Sequence, residues 1–348
     1  MIGWLVVFAL ILVIPNVGLF QEHEEVMESE KRLISPMPST DSLGSRGYNV
    51  ALAKYYNDRF LGRDIMIRSA VRIKEIAFNT SHYDKVIFGR DGFLFYNFGD
   101  MIADRRGQIK VSETYKRSLS NATASLAGTI EKHGAQFIFM IAPNKATIYP
   151  QHLPGRVIGP QFQSRAHQLE EYYIDNHHNY FYYPHGPLVW EVDSLTYYKT
   201  DTHWNHGGAL IALEYLLTNQ LEFPWTRPQL AQREKSQVGD LARMARIERS
   251  ERIKQPVIDV ADYHVSKDGP YAVFENPDAP TNKTVMLIHD SFGNYLRDWL
   301  VAGYTKVILC PNYHVDVDAI NGFGADLVIY EIVERNIPEL DKIFNLKH

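Results

Sequence analysis

Four short, nearly unbroken apolar runs constrain this chain more than any other feature. Gln136–Ala142 (Gln-Phe-Ile-Phe-Met-Ile-Ala) and the segments 285–289, 306–310 and 327–332 are too short for typical helices. Their apolar residues fall on consecutive positions, which suits strands buried on both faces. Segment 180–183 is a further strand candidate. Helical patterns separate these runs: 112–133, then 207–217 with Asn205 placed to cap it, and 292–302. Strands alternating with helices predict an α/β fold, a parallel sheet covered by helices on both faces in a three-layer α/β/α sandwich.

The rest of the chain is organised around that block. Residues 2–20 carry no charged side chain and, at about 1.5 Å per residue, just span a bilayer core of about 30 Å. No Lys or Arg precedes this run and no small-x-small cleavage site follows it, so 1–20 reads as an uncleaved signal anchor rather than a cleaved signal peptide. Residues 21–47 are polar, with Pro and Gly, and read as a tether. The pattern over 48–78 is helical, with Arg59, Arg63, Arg68 and Arg72 among its apolar positions. Gly89-Arg90-Asp91-Gly92 sits between two short apolar runs and predicts a hairpin. Residues 228–280 are polar and mixed and yield no assignment. The formal charge of −5 leaves no basic excess for neutralising phosphates, which argues against a nucleic-acid partner. The single cysteine, Cys310, excludes an intrachain disulfide and a Cys-rich metal site.

Catalytic groups in open parallel sheets gather at the carboxyl ends of the strands. The run at 285–289 ends in Asp290-Ser291, then Phe292-Gly293 leads into a helix. A serine there can present its hydroxyl at the sheet edge, with helix N–H groups facing an oxyanion. Asp-Ser is equally a routine helix cap. The second element is Thr200-Asp201-Thr202-His203-Trp204-Asn205. An Asp two residues before a His can place both on one side of an extended segment. A serine needs a base, and the base needs a carboxylate to fix its tautomer. A buried, merely structural Asp201–His203 pair is the competing reading. A metal site drawing on Asp201, His203, His206, His289 and Asp290 is another, but no His-Glu-x-x-His or similar spacing supports it, and no metal is expected. Trp190, Tyr197, Tyr198 and Trp204 are aromatic candidates either for stacking on a sugar or for the core.

Taken together, a series of blocks resembles the AlgX/AlgJ group of alginate O-acetylation proteins, SGNH-hydrolase-like domains of exopolysaccharide acetylation. The blocks are Tyr56-Asn-Asp-Arg-Phe60, Gly89-Arg-Asp-Gly-Phe-Leu-Phe-Tyr96, Ala142-Pro-Asn-Lys145 with Tyr149-Pro150, Asp201-Thr-His-Trp-Asn205, Gly239-Asp-Leu-Ala242, His289-Asp-Ser-Phe-Gly293 and Glu331-Ile-Val-Glu-Arg335. The resemblance implies Ser291 as nucleophile, His203 as base and Asp201 as its orienter. Because His203 precedes Ser291, it also implies a circularly permuted SGNH-like sheet within one domain over 48–348. It marks Arg335 and Asn336 as oxyanion-hole candidates, with Lys145, Tyr96, Trp204 and Tyr295 as further candidates for contact with the oxyanion or substrate. His289 departs from the glycine usual before Asp-Ser. The implied activity is acetyl transfer to an exported polysaccharide through an acetyl-serine, without a cofactor. A membrane-bound O-acyltransferase partner would supply the acetyl group, and the domain would face the periplasm. An esterase of the same class and a non-catalytic polysaccharide-binding subunit are the alternatives.

Overall fold

The computed structural model describes residues 32–61, 85–158, 163–257, 264–311, 313 and 315–346, with isolated residues 16, 26, 27, 66 and 69. Apart from those isolated positions, the predicted anchor over 1–20 and the second half of the 48–78 pattern, including Arg63, Arg68 and Arg72, lie outside the described residues. Among the described residues, no helix is long and apolar enough to cross a membrane.

Helix α1 (Arg46–Arg59) starts at Ser45, whose hydroxyl accepts the Tyr48 N–H at 3.0 Å. Strands β1 (Val86–Phe88) and β2 (Leu94–Tyr96) form the hairpin that the Gly89–Gly92 turn predicts. Gly92 takes φ +83°, a conformation that a β-carbon disfavours. Next come α2 (Glu113–Lys132), capped by Ser112, then β3 (Gln136–Ala142), α3 (Arg165–Asp175), β4 (Phe181–Tyr182) and α4 (His206–Tyr215). Two hairpins follow, β5 (Gln232–Val238) with β6 (Ser250–Pro256), and β7 (His264–Asp268) with β8 (Tyr271–Glu275). The chain closes with β9 (Thr281–His289), α5 (Gly293–Gly303), β10 (Tyr304–Pro311), α6 (Val317–Phe323) and β11 (Leu327–Val333).

One seven-stranded sheet runs in the order β4-β3-β11-β9-β10-β8-β7. The first five strands are parallel. The expectation of a wholly parallel sheet is corrected at the other edge, where β8 joins β10 and β7 joins β8 antiparallel. A tight turn through Gly269, at φ +58°, joins β7 to β8, and strands so closely linked must run antiparallel.

Side chains alternate across the sheet, and both faces are covered. Ile138, Met140, Val285, Leu287, Val307 and Ile329 pack against Ala209 and Leu213 of α4 and Leu296 and Leu300 of α5. Their neighbours Phe139, Ile141, Met286, Ile288, Ile308 and Tyr330 pack against Leu119 and Ile130 of α2 and Leu169 and Tyr173 of α3. This double burial is why the strand sequences are apolar without alternation. A side chain such as Leu287, with no exposed surface, contributes about 1.5–3 kcal/mol by leaving water. Leu287 pairs with Leu309 on one side and Ile329 on the other, so the carboxyl ends of β9, β10 and β11 lie level at one edge. Residues 232–236 of β5 are all exposed, so that hairpin has no apolar stripe from which to be read. It matters because its base carries Gly239-Asp240 and Glu251.

Candidate active site

Ser291 follows the carboxyl end of β9, solvent-exposed, where the strand turns into α5. Its turn is fixed by Asp290. One Asp290 carboxylate oxygen accepts the Phe292 N–H at 2.8 Å. The other accepts the Tyr313 hydroxyl at 2.8 Å, the Val333 N–H at 2.9 Å and the Asn336 amide at 3.4 Å. The Asp290 N–H in turn reaches Glu331 Oε2 at 3.2 Å. Asp290 therefore ties β9 and the Ser291 turn to the ends of β10 and β11. His289 is buried, with Nδ1 2.5 Å from the Asp290 carbonyl, and burial lowers its pKa. It packs so tightly on α5 that a β-carbon on Gly293 would lie 2.4 Å from its own Cβ. The histidine in place of a glycine is accommodated by a glycine three residues beyond Asp290.

Asp201 and His203 come from the loop between Thr196 and α4, closed on itself by a bridge between Tyr197 and Trp204. The loop ends where the Asn205 side chain caps Gly208 N–H at 2.8 Å. Gly208 is required there, since a β-carbon would sit 2.2 Å from the Thr196 carbonyl oxygen. The loop backbone is held from three sides. Lys145 Nζ donates to the carbonyls of Tyr198 and Lys199 at 3.0 Å and of Asp201 at 2.6 Å. Glu251 accepts the N–H groups of Lys199 and Thr200, both at 2.8 Å. Asp240 accepts the Thr202 N–H at 2.8 Å and its hydroxyl at 2.7 Å. A β-carbon on Gly239 would lie 2.2 Å from the Thr200 carbonyl oxygen, so only glycine lets the β5–β6 hairpin approach.

This scaffold brings Asp201, His203 and Ser291 into one hydrogen-bond chain. His203 Nδ1 lies 2.6 Å from Asp201 Oδ1, and His203 Nε2 lies 2.8 Å from Ser291 Oγ. An ionised Asp201 assigns the proton to Nδ1 and leaves Nε2 free to accept the serine proton. Burial pushes the Asp201 carboxyl up, but hydrogen bonds from His203 and from the Asp240 N–H outweigh it and hold the pKa well below the usual carboxylate range. The imidazole faces Phe292 and Tyr295, with ring centroids 4.9 and 5.5 Å away. Such an arrangement can take a proton from Ser291 Oγ and return it to a leaving oxygen.

The other sequence candidates divide. Arg335 stands beside the turn, its guanidinium 5.1 Å from the Phe292 ring and 5.5 Å from the Tyr96 ring. It thus brings Tyr96 with it, and Tyr295 borders His203. Asn336 is a correction: its amide is engaged with Tyr313 at 2.9 Å and with Asp290, so it braces the turn instead of facing an oxyanion. Lys145 is a second. It is only 4% exposed, with its three protons directed at three carbonyls, and so holds the loop without reaching substrate. Burial pushes its pKa down to about 7 against the pull of Asp201, Asp240 and Glu251. Trp204 is a third, with no exposed surface and its indole N–H on the Phe292 carbonyl at 3.0 Å. Tyr197 and Tyr198 are buried as well, and Trp190 alone of those aromatics is exposed, at 67%.

The residues weighed as metal ligands do not converge on one point: His206 pairs with Asp298 at 3.0 Å, and His289 turns to its own neighbour. Among the described residues, the tightest ligand cluster is Asp201, His203 and Asp240, with one atom of each within 4.8 Å of the others. Its carboxylate oxygens already accept from His203 and from the Asp240 and Thr202 N–H groups, and hydrogen bonding accounts for the cluster. Sequence reasoning missed Asp240, Glu251 and the bracing role of Asp290. The block Gly239-Asp-Leu-Ala242 was the available signal for the first.

Comparison with known proteins bears on the whole domain. The chain resembles Bacillus cereus PatB1, solved with a sulfonyl adduct, at 15% identity over 77% of this chain and 99% of that one, with a TM-score of 0.53. It resembles a DHHW family protein from Eubacterium siraeum at 14% identity over 76% and 99%, with a TM-score of 0.52. The O-acetyltransferase domain of Pseudomonas putida AlgJ aligns at 17% identity over 73% and 92%, with a TM-score of 0.44. At these identities the likeness to the first two is one of fold. No curated protein matches in sequence. The family model for the SGNH hydrolase-like domain of acetyltransferase AlgX matches residues 86–300, from the first hairpin through the Ser291 turn into α5, and the chain belongs to that family.

Proposed function

We propose that this chain is an O-acetyltransferase that acts on hydroxyls of an exported polysaccharide such as alginate, through an acetyl-serine at Ser291. The observation that carries the reading is the continuous Asp201–His203–Ser291 hydrogen-bond chain opening on solvent at the sheet edge. His203 Nε2 takes the Ser291 proton as Oγ attacks the acetyl carbonyl. The tetrahedral intermediate collapses, His203 hands that proton to the departing oxygen, and Ser291 keeps the acetyl group. A sugar hydroxyl then attacks in a second cycle of the same proton transfers, regenerating the serine. The Phe292 N–H is committed to Asp290, which leaves the Ser291 N–H and the Arg335 guanidinium as donors to the oxyanion.

The strand order supports the permuted reading. If β9, β10 and β11 are numbered first to third and β3 and β4 fourth and fifth, the parallel strands run 2-1-3-4-5, an order known for doubly wound sheets. His203 then precedes Ser291 because the chain begins part-way round the fold. Residues 1–20 would anchor the domain to the inner membrane, on the periplasmic side, beside a membrane-bound O-acyltransferase that supplies acetyl groups.

The test offers the protein a chromogenic acetyl ester with and without acceptor oligosaccharide, alongside Ser291→Ala. Transfer predicts ester-coupled acetylation of the oligosaccharide, and a loss of about a thousandfold or more in Ser291→Ala. Ester turnover indifferent to acceptor would instead identify an esterase. Unchanged polymer acetylation in cells carrying Ser291→Ala would identify a binding subunit.

A further inference from the structure

We propose that Asp240 is a second carboxylate acting on His203, a positioning residue that sets the imidazole's tautomer and stabilises its protonated form. The inference rests on the reading of His203 as the base for Ser291.

The geometry is specific. Asp240 Oδ2 lies 3.9 Å from His203 Nδ1 and accepts the Thr202 hydroxyl proton at 2.7 Å. With its proton turned to Asp240, Thr202 Oγ1 can offer only lone pairs, and it lies 3.2 Å from the same Nδ1. Asp201 therefore accepts Nδ1–H directly, while Asp240 accepts through an intervening hydroxyl. Both favour the tautomer that leaves Nε2 bare toward Ser291. Asp240 also donates its own N–H to Asp201 Oδ2 at 2.9 Å, so one residue orients both members of the Asp201–His203 pair. It can do so because Gly239 allows the β5–β6 hairpin to press against Thr200.

The charges around the ring leave this role open to Asp240. Asp201 is on the ring's own loop. Lys145 lies behind Asp201, its ammonium directed to backbone carbonyls, and Glu251 is engaged by the amides of residues 199 and 200. On the α5 side the ring meets the neutral Tyr295, beyond which His206 and Asp298 pair with each other. Arg335 rests against the same Phe292 ring that the imidazole faces, its guanidinium 5.1 Å from the ring centroid. Asp240 is thus the one carboxylate besides Asp201, among the described residues, that approaches Nδ1 within 4 Å. An imidazolium forms each time Ser291 attacks, and two nearby anions lower its energy more than one.

The test compares the full chain in detergent with its Asp240→Asn and Asp240→Glu variants. Asparagine keeps the size and an acceptor for Thr202 but removes the charge. The His203 imidazole is followed by NMR in histidine-labelled protein, its signal identified by its loss in His203→Gln. Asp240→Asn should move its titration midpoint to lower pH by about half a unit to one unit, because the protonated ring loses an anionic neighbour. The acid limb of kcat for acetyl-ester turnover should move the same way. The plateau kcat should fall about tenfold, with KM changed less than about twofold, since the loss is felt when the imidazolium forms. Asp240→Glu should restore part of both shifts. A midpoint that stays in place or rises in Asp240→Asn overturns the proposal, even if activity falls, because a merely structural role predicts that combination. Retained activity in Ser291→Ala would overturn the nucleophile reading instead, and would leave the NMR shift to be judged on its own.

Discussion

Glu331 has no exposed surface, yet it faces a second carboxyl, Asp290, beneath the Ser291 turn. Two carboxyls this close do not both ionise in a dry site. Asp290 keeps the charge, because two backbone N–H groups, a phenol and an amide all donate to it. Glu331 keeps a proton, its pKa driven well above the usual carboxylate range by burial and then by the Asp290 charge. The sign of the pH effect follows. Above about 4.3 the unfolded chain has released this proton while the native chain still binds it. Native stability attributable to Glu331 therefore falls as pH rises through that window, by at most about 1.4 kcal/mol per unit. Glutamine at 331 keeps an acceptor for the Asp290 N–H but does not titrate. The melting temperature of Glu331→Gln relative to the parent should therefore rise between pH 5 and pH 8. A difference that stays flat or falls over that interval would remove the protonated Glu331 from the account.

The loop that carries Asp201 and His203 has little regular structure, and its rigidity comes from side chains of three other elements. Lys145 at the end of β3 holds three of its carbonyls, Glu251 two of its amides and Asp240 a third. Replacing Lys145 with methionine strips those buried carbonyls of their donor, at a cost of about 1–3 kcal/mol. The loop should then sample positions in which Nε2 no longer meets Ser291. We expect kcat to fall about a hundredfold with KM changed only a few-fold, and hydrogen exchange at 198–201 to speed up. Unchanged exchange there would show that the loop does not depend on Lys145. This architecture also explains what could be read beforehand. Asp201, His203 and Ser291 can be singled out as candidates in sequence because a strand end and an Asp-x-His spacing are local patterns, and the hydrogen-bond chain joins them. The braces cannot, because each meets the loop across 38 to 56 residues of sequence, and residues 232–236 of β5 are too polar to announce a strand. Lys145 reads in sequence as a contact candidate and Trp204 as either a stacking or a core residue, since a motif residue that builds a site and one that touches substrate look alike in sequence. The strands of the parallel sheet could be read because burial on both faces leaves unbroken apolar runs. The hairpin β7–β8 could not, because the edge strand β7 keeps polar residues and β8 buries only alternate positions of a five-residue strand.

At the scale of the molecule, the two side-chain layers and the site lie within the body from β1 onward, and among the described residues no buried apolar core residue precedes Val86. The first described tie of the N-terminal region to the body of α1 is Ser35, whose N–H donates to Asp58 at 2.8 Å and whose carbonyl accepts from Arg59 at 2.8 Å. The segment 1–20 carries no charged side chain from Ile2 to Phe20. If that segment is the proposed anchor, its task is delivery and not chemistry. Holding a transferase beside a membrane-borne acetyl donor raises the donor's effective concentration to about the millimolar range, an advantage that vanishes in free solution. A chain lacking residues 1–20 should leave the membrane fraction, keep its melting temperature within about 2 °C and turn over a soluble acetyl ester at the parent's rate. In cells it should lose most of the polymer acetylation that the full chain supports, as measured by the acetyl content of the secreted polysaccharide. Full acetylation by the truncated chain would show that donor and transferase meet without the anchor, and persistence in the membrane fraction would place the attachment elsewhere in the chain.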